Sequence, residues 1–262
     1  MPVRDNKIFT HTRTVLWKLI LPVFILLFWL LAAEFAWVSP LLLPSPLVVG
    51  RTIQMQLGQE GTLLADMSVS LVRILRGYSL GAAVGITFGV LMGMSPKVNT
   101  FFMLTLTAIR QVPIMAWIPL LIIWFGIGEN SKISVIFLAS YFPILVNTMS
   151  GIASTDQKLL EVGRMYHLSR WKLFTKIYLP SALPVIFTGL KVGLGISWMA
   201  VVGAEMIAAS AGIGFRINDA RSLLQFPIVY AGMIAIAVTG LAMDMILTVV
   251  TNLSMPWKNN NK

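Results

Sequence analysis

The stretch Ser68-Val-Ser-Leu-Val-Arg73-Ile-Leu-Arg76-Gly77-Tyr-Ser-Leu-Gly81-Ala-Ala-Val-Gly85-Ile-Thr-Phe-Gly89-Val-Leu-Met-Gly93-Met94 decides the fold class. No charge follows Arg76, and the run is long enough for the roughly 20 apolar residues that carry a helix across a bilayer. Glycines recur at Gly77, Gly81, Gly85, Gly89 and Gly93, a strict four-residue spacing. On a helix that spacing puts all five on one face and lets a second helix approach closely. The stretch reads as a packed transmembrane helix.

Composition extends the reading to the whole chain. Of 262 residues, 57% are hydrophobic and only 11% charged, whereas a soluble domain carries about a quarter charged residues. Disorder requires the opposite balance, low hydrophobicity with high charge. The net charge of +10 would suit nucleic acid on a polar domain, but there is hardly any polar domain to carry it. With no cysteine, disulfides, thiolate metal sites and cysteine nucleophiles are excluded. The chain is therefore read as an all-α integral membrane protein in one domain, 1–262, that sits in the lipid bilayer and binds no nucleic acid.

Six segments have the length and apolarity of spans, at about residues 15–38, 68–94, 100–125, 133–152, 183–208 and 228–253. Lysine and arginine set their direction. With the N-terminus inside, the cytoplasmic side receives Arg4, Lys7, Arg13, Lys18, Lys97, Lys158, Arg164, Arg170, Lys172, Lys176, Lys258 and Lys262, and the outer side only Arg51, Lys132, Arg216 and Arg221. That asymmetry predicts an N-in, C-in protein. The more polar connection, 153–182 between spans 4 and 5, then faces the cytosol. It carries two short amphipathic pieces, the second containing Trp171, Phe174 and Ile177 and stopped by Pro180 and Pro184. Such a knob either docks in a groove of a soluble partner or rests on the headgroups.

Within this connection, Glu161-Val162-Gly163, three residues, His167, nine residues, and Ile177-Tyr178-Leu179-Pro180 resemble the signature of the permease subunits of bacterial ATP-binding-cassette importers. That signature reads Glu-Ala-Ala, three residues, Gly, nine residues, Ile-x-Leu-Pro. Val162 and Gly163 replace its alanines. His167 stands where the glycine does, and glycine serves such turns because it takes positive φ cheaply. Leu43-Pro44-Ser45-Pro46, Ile123-Trp124-Phe125-Gly126-Ile127-Gly128-Glu129, Phe142-Pro143-Ile144 with Asn147-Thr148, and Ala204-Glu205-Met206-Ile207-Ala208 look like the nitrate, sulfonate and taurine branch of that family. The resemblance implies a homodimer with a second permease copy. It also implies two cytoplasmic ATPase subunits docked on Glu161, Val162, Gly163, His167, Ile177, Leu179 and Pro180, and an extracytoplasmic substrate-binding protein. ATP and magnesium would be bound by the ATPase subunits. This chain has no Gly-x-x-x-x-Gly-Lys-Ser/Thr loop, and no cofactor, metal or catalytic residue is expected in it.

Ionisable residues deep in spans are functional candidates, because lipid burial costs about 2.5–3.5 kcal/mol or more. Arg110, followed by Gln111 and Pro113, is the clearest. Pro113 and Pro119 should bend or break the third span where it lines a cavity. The guanidinium there would serve either an oxyanion, through forked hydrogen bonds, or the carbonyls freed at the break. Glu205 is either an outer gate residue or the partner of Arg73 or Arg76. Lys191 and Asp244 read as structural, with Lys191 able to snorkel. The expected activity is import of a small anion by alternating access, aliphatic sulfonate or taurine first, with nitrate, bicarbonate or a vitamin precursor as alternatives. An ion-gradient-driven transporter or channel is the competing class, and it requires membrane-embedded carboxylates of which Glu34, Glu205 and Asp244 are the few available.

Overall fold

The computed structural model describes residues 7–58 and 61–255, excluding the side chains of residues 7–16 and 18. Every regular element among them is helical: α1 (Lys7–Glu34), α2 (Pro46–Leu57), α3 (Thr62–Met94), α4 (Pro96–Gln111), α5 (Ile114–Phe125), α6 (Glu129–Ala153), α7 (Gln157–Met165), α8 (Arg170–Leu173), a π turn (Phe174–Tyr178), α9 (Leu179–Ala208), α10 (Ile213–Ser222) and α11 (Phe226–Ser254). Local sequence explains several starts. Ser45 and Ser95 each accept a backbone N–H in the first turn of α2 and α4, from Val48 and Val98 at 3.4 Å, and a proline follows each cap.

The centre is α6, packed between α3 and α9. The glycine ladder of α3 meets α6 in unbroken register, Gly77 against Ile136, Gly81 against Ser140, Gly85 against Ile144, Gly89 against Thr148 and Gly93 against Ile152. A Cβ on Gly77 would lie 2.6 Å from the Ile136 Cβ and 2.9 Å from the Ile133 carbonyl oxygen, so any side chain would force the helices apart. Both numbers rise together, so α3 and α6 run parallel and the chain must return between them. On the other flank Gly189 meets Asn147 and Gly193 meets Ile144, which makes α9 antiparallel to α6. Trp198 donates Nε1 to the Ile236 carbonyl at 3.1 Å and Lys191 donates Nζ to Thr248 Oγ1 at 2.6 Å, so α11 is antiparallel to α9. The alternation expected of successive spans is thus present in the packing itself.

Four helices among the described residues are long and apolar enough to cross a membrane, Thr62–Met94, Glu129–Ala153, Arg170–Ala208 and Phe226–Ser254. The returning α4–α5 pair makes a fifth by length and composition, and Leu19–Glu34 is a shorter apolar helix. Two boundaries differ from expectation, and the break expected in the third span is present. The first helix stops at Glu34, where the chain turns through Ala36 at φ 50°. The span expected at 100–125 breaks at Pro113 into two helices bent by 97°, because Pro113 has no N–H to continue the ladder and holds Val112 in an extended conformation, whereas Pro119 lies inside α5 and does not break it. Pro180 and Pro184 do not stop the preceding helical piece. A π turn of five residues precedes α9, Pro180 sits in the first turn of α9 where a missing donor is harmless, and Pro184 lies inside it. The cations Arg4, Lys258 and Lys262 assigned to topology lie outside the described residues, as do the side chains of Lys7, Arg13 and Lys18.

Candidate functional site

The two ends of the bundle and its middle each carry a distinct chemical arrangement. At the end where α9 begins, α7 projects as a knob. Asp156 caps it by accepting the Lys158 N–H at 2.9 Å, and Ser169 caps α8 by accepting that of Lys172 at 3.4 Å. Gly163 is buried against α8 and the π turn, where a Cβ would stand 2.7 Å from both Ile177 Cδ1 and Leu173 Cδ1. The fixed spacing between Gly163 and Ile177 therefore has a physical cause: the glycine is the socket for the isoleucine. His167 adopts φ 49° in the turn that reverses the chain. Its N–H donates to the Arg164 carbonyl at 2.9 Å, and that of Leu168 donates to the Gly163 carbonyl at 3.1 Å. This is the left-handed helix terminus usually given to glycine. Glu161, Val162 and His167 are exposed, while Ile177, Leu179 and Pro180 are half-buried at the base. Leu159, Val162, Met165 and Tyr166 leave an apolar surface around Glu161 on α7.

Because the imidazole occupies a conformation that costs a residue with a Cβ about 1 kcal/mol, His167→Gly is expected to raise stability by about 0.5–1 kcal/mol. A rise in the detergent melting temperature would show it, and a fall would place a stabilising contact on the imidazole.

In the middle, the α4–α5 break opens a cavity of about 360 Å³ lined by Arg110, Pro113, Phe142, Asn147, Val192 and Ile196, among others. Arg110 and Gln111 end α4, and both are exposed. No hydrogen bond or ion pair joins the Arg110 side chain to the described residues, and Asn147 Nδ2 is committed to the Pro143 carbonyl at 2.8 Å. The carbonyls freed at the break do not hold the guanidinium, which leaves its forked donors available.

At the opposite end lies a buried ion cluster that sequence reading caught only in part. Arg73 donates Nε and Nη2 to Glu129 at 2.8 and 2.6 Å, and Nη1 to Glu205 at 2.8 Å and to the Ala211 carbonyl at 2.7 Å. Of the two arginines considered for Glu205, Arg73 is the partner. Ser70 donates to both Glu205 oxygens, and Lys132 holds the Ile127 and Gly128 carbonyls at 3.1 and 3.3 Å. Three successive N–H groups at the start of α10 find side-chain acceptors here, Gly212 on Asp66, Ile213 on Ser70 and Gly214 on Glu205. Asp66 also pairs with Arg216. The cluster thus satisfies the orphan donors of α10 and ties α3, α6, α9 and α10 together. Glu205 is enclosed there and does not line the Arg110 cavity. Asp66, Ser70, Glu129 and Arg216 escaped the sequence reading because they come from three separate helices, α3, α6 and α10, whose adjacency no local pattern encodes.

No group of three or more potential metal-ligating side chains occurs among the described residues. The profile of the family described as binding-protein-dependent transport system inner membrane component matches residues 85–257. A protein of Bacillus subtilis, provisionally named for aliphatic sulfonates transport as a permease, is 36% identical over 92% of this chain and 87% of its own. The taurine transport system permease protein of Escherichia coli is 35% identical over 87% of this chain and 85% of its own. The nitrate import permease protein of a Synechocystis species is 34% identical over 76% and 72%.

Proposed function

The chain belongs to the binding-protein-dependent transport system inner membrane component family, and on that premise we propose that it is the permease of an ATP-driven importer for a small oxyanion, an aliphatic sulfonate or taurine in the first place. As a member of that family it is a multi-pass inner-membrane transport subunit. Two copies would form the pathway, with the α7 knob of each docked in a cytoplasmic ATPase subunit that binds ATP and magnesium. The extracytoplasmic binding protein would deliver substrate at the end that carries the ion cluster. Closure of the ATPase pair would draw the two knobs together, and the continuous helix from α8 through α9 would transmit that displacement to the pathway. The whole of 1–262 would work as one domain with both termini in the cytoplasm.

The observation that carries the anion reading is Arg110, a guanidinium at the helix break facing a cavity with no partner among the described residues. A guanidinium offers a planar fork of donors that matches two oxygens of a sulfonate. A charged hydrogen bond is worth about 1.5–3 kcal/mol, so Arg110→Ala is expected to lower sulfonate uptake by roughly ten-fold or more while the ATPase subunits still copurify. Unchanged uptake would remove Arg110 from the pathway. The relative named for nitrate import supports a second reading, since a trigonal oxyanion suits the same fork; the same assay run with nitrate separates the two.

A further inference from the structure

Among the described residues the buried carboxylates are matched, Glu205 by Arg73 and Asp66 by Arg216. Lys191, half-buried, and Asp244, exposed in the single chain, have no ion-pair partner among the described residues. Both line one cavity of about 410 Å³ between α9 and α11, within the size range of small-molecule sites. Lys191 spends one hydrogen bond, Nζ to Thr248 Oγ1 at 2.6 Å, and Thr248 in turn donates to the Asp244 backbone carbonyl at 2.7 Å. Thr248 lies one helical turn from Asp244 on the same helix, so ammonium and carboxylate are about a turn apart, yet no ion pair joins them and the carboxylate has no hydrogen bond among the described residues. The rest of the wall is aliphatic or small, with Gly195, Ile196, Met199 and Gly240 beside them. Trp198 cannot serve a ligand through its indole N–H, which is held by the Ile236 carbonyl. Two opposite charges left open across one apolar chamber, in segments where an unpaired charge costs several kcal/mol, ask for a ligand that carries both signs.

We propose that this cavity is a site for a small zwitterion, its oxyanion on Lys191 and its ammonium on Asp244, with a short aliphatic link against Gly195 and Gly240. The inference rests on the reading of the chain as an oxyanion permease, and sharpens it from anions in general to amino-substituted ones. Position supports the link to transport. Val192 and Ile196 of α9 line both this cavity and that of Arg110, so the two chambers lie on either flank of one exposed stripe and at one depth. Arg110 meets any oxyanion, whereas Asp244 distinguishes those that bear an amine.

Taurine and ethanesulfonate differ only by that amine. The full-length chain, purified with its copurifying subunits in phosphatidylglycerol nanodiscs, is expected to bind labelled taurine saturably and at least about ten-fold more tightly than ethanesulfonate, as for a site built around a hydrogen-bonded group. Asp244→Asn should bring the two ligands within about two-fold of each other, and Asp244→Glu should restore the preference, which a merely destabilised protein would not do. Three results would overturn the proposal: no saturable taurine binding, a taurine preference that survives Asp244→Asn, or a groove occupied by lipid. The last would be seen as phosphatidylethanolamine retained in native mass spectrometry by the parent chain and lost in Asp244→Asn with taurine affinity unaltered. A failed importer reading shows separately, as absent sulfonate uptake by the complete transporter.

Discussion

Arg73→Met is expected to be the most damaging single replacement in the chain, lowering stability by about 3–5 kcal/mol, the cost of stranding a buried charge. The Glu205 side chain is fully enclosed, and removing the guanidinium leaves its carboxylate with Ser70 and one backbone N–H. Glu129 is half exposed and can turn to water, so it adds little to the loss. Glu205→Gln should cost less, because Arg73 keeps both bonds to Glu129 and the amide oxygen can still accept from Gly214. The double variant Arg73→Met with Glu205→Gln should be more stable than the sum of the two predicts, since it strands no charge. Melting curves of the four proteins in one detergent give the coupling directly. Additive losses, or an Arg73→Met protein that melts like the parent, would mean the cluster is not a unit.

The second large effect is expected at Gly163. Alanine there needs only a shift of the Ile177 and Leu173 tips, which are flexible ends, and should be tolerated. Leucine has no space at all, so Gly163→Leu should lift α7 from the π turn and reduce copurification of the ATPase subunits by ten-fold or more. The permease itself should remain folded, because the α3–α6–α9 core lies elsewhere. Overpacking of this kind costs about 1–3 kcal/mol locally, which is enough to free a nine-residue helix held mainly by that contact. Full ATPase retention by Gly163→Leu would show that docking does not depend on the seat of α7.

Much of this architecture is legible along the chain, because it depends on local properties. An apolar run of the right length is a span whatever surrounds it. The glycine at every fourth position announces a helix meant to be approached, and Pro113 announces a break. The positive φ of His167 follows from its place in the signature, where the family has glycine. Pro180 misled for an equally local reason. A proline read as a stop becomes a permitted first-turn residue once an inserted π turn has already removed the donor requirement.

Partnership is what the linear pattern cannot hold. The spacing of Gly77 through Gly93 fixes that some helix packs against that face, but only the folded chain shows that it is α6, parallel and in register. In the same way the sequence offers Arg73 or Arg76 to Glu205 without choosing between them and leaves Glu129 unplaced; Arg73, Glu129 and Glu205 become one cluster only when three helices converge. Sequence alone determined which segments are long and apolar enough to cross a membrane, which connection forms the knob, and where the third span breaks, since hydropathy, helix period and proline chemistry act over a few residues. The tertiary structure decided which charges are satisfied within the chain, as Glu205 is by Arg73, and which, like Arg110, Lys191 and Asp244, have no ion-pair partner among the described residues. That is settled by distances of a few ångströms between segments far apart in the chain, where the low dielectric makes every unmatched charge count.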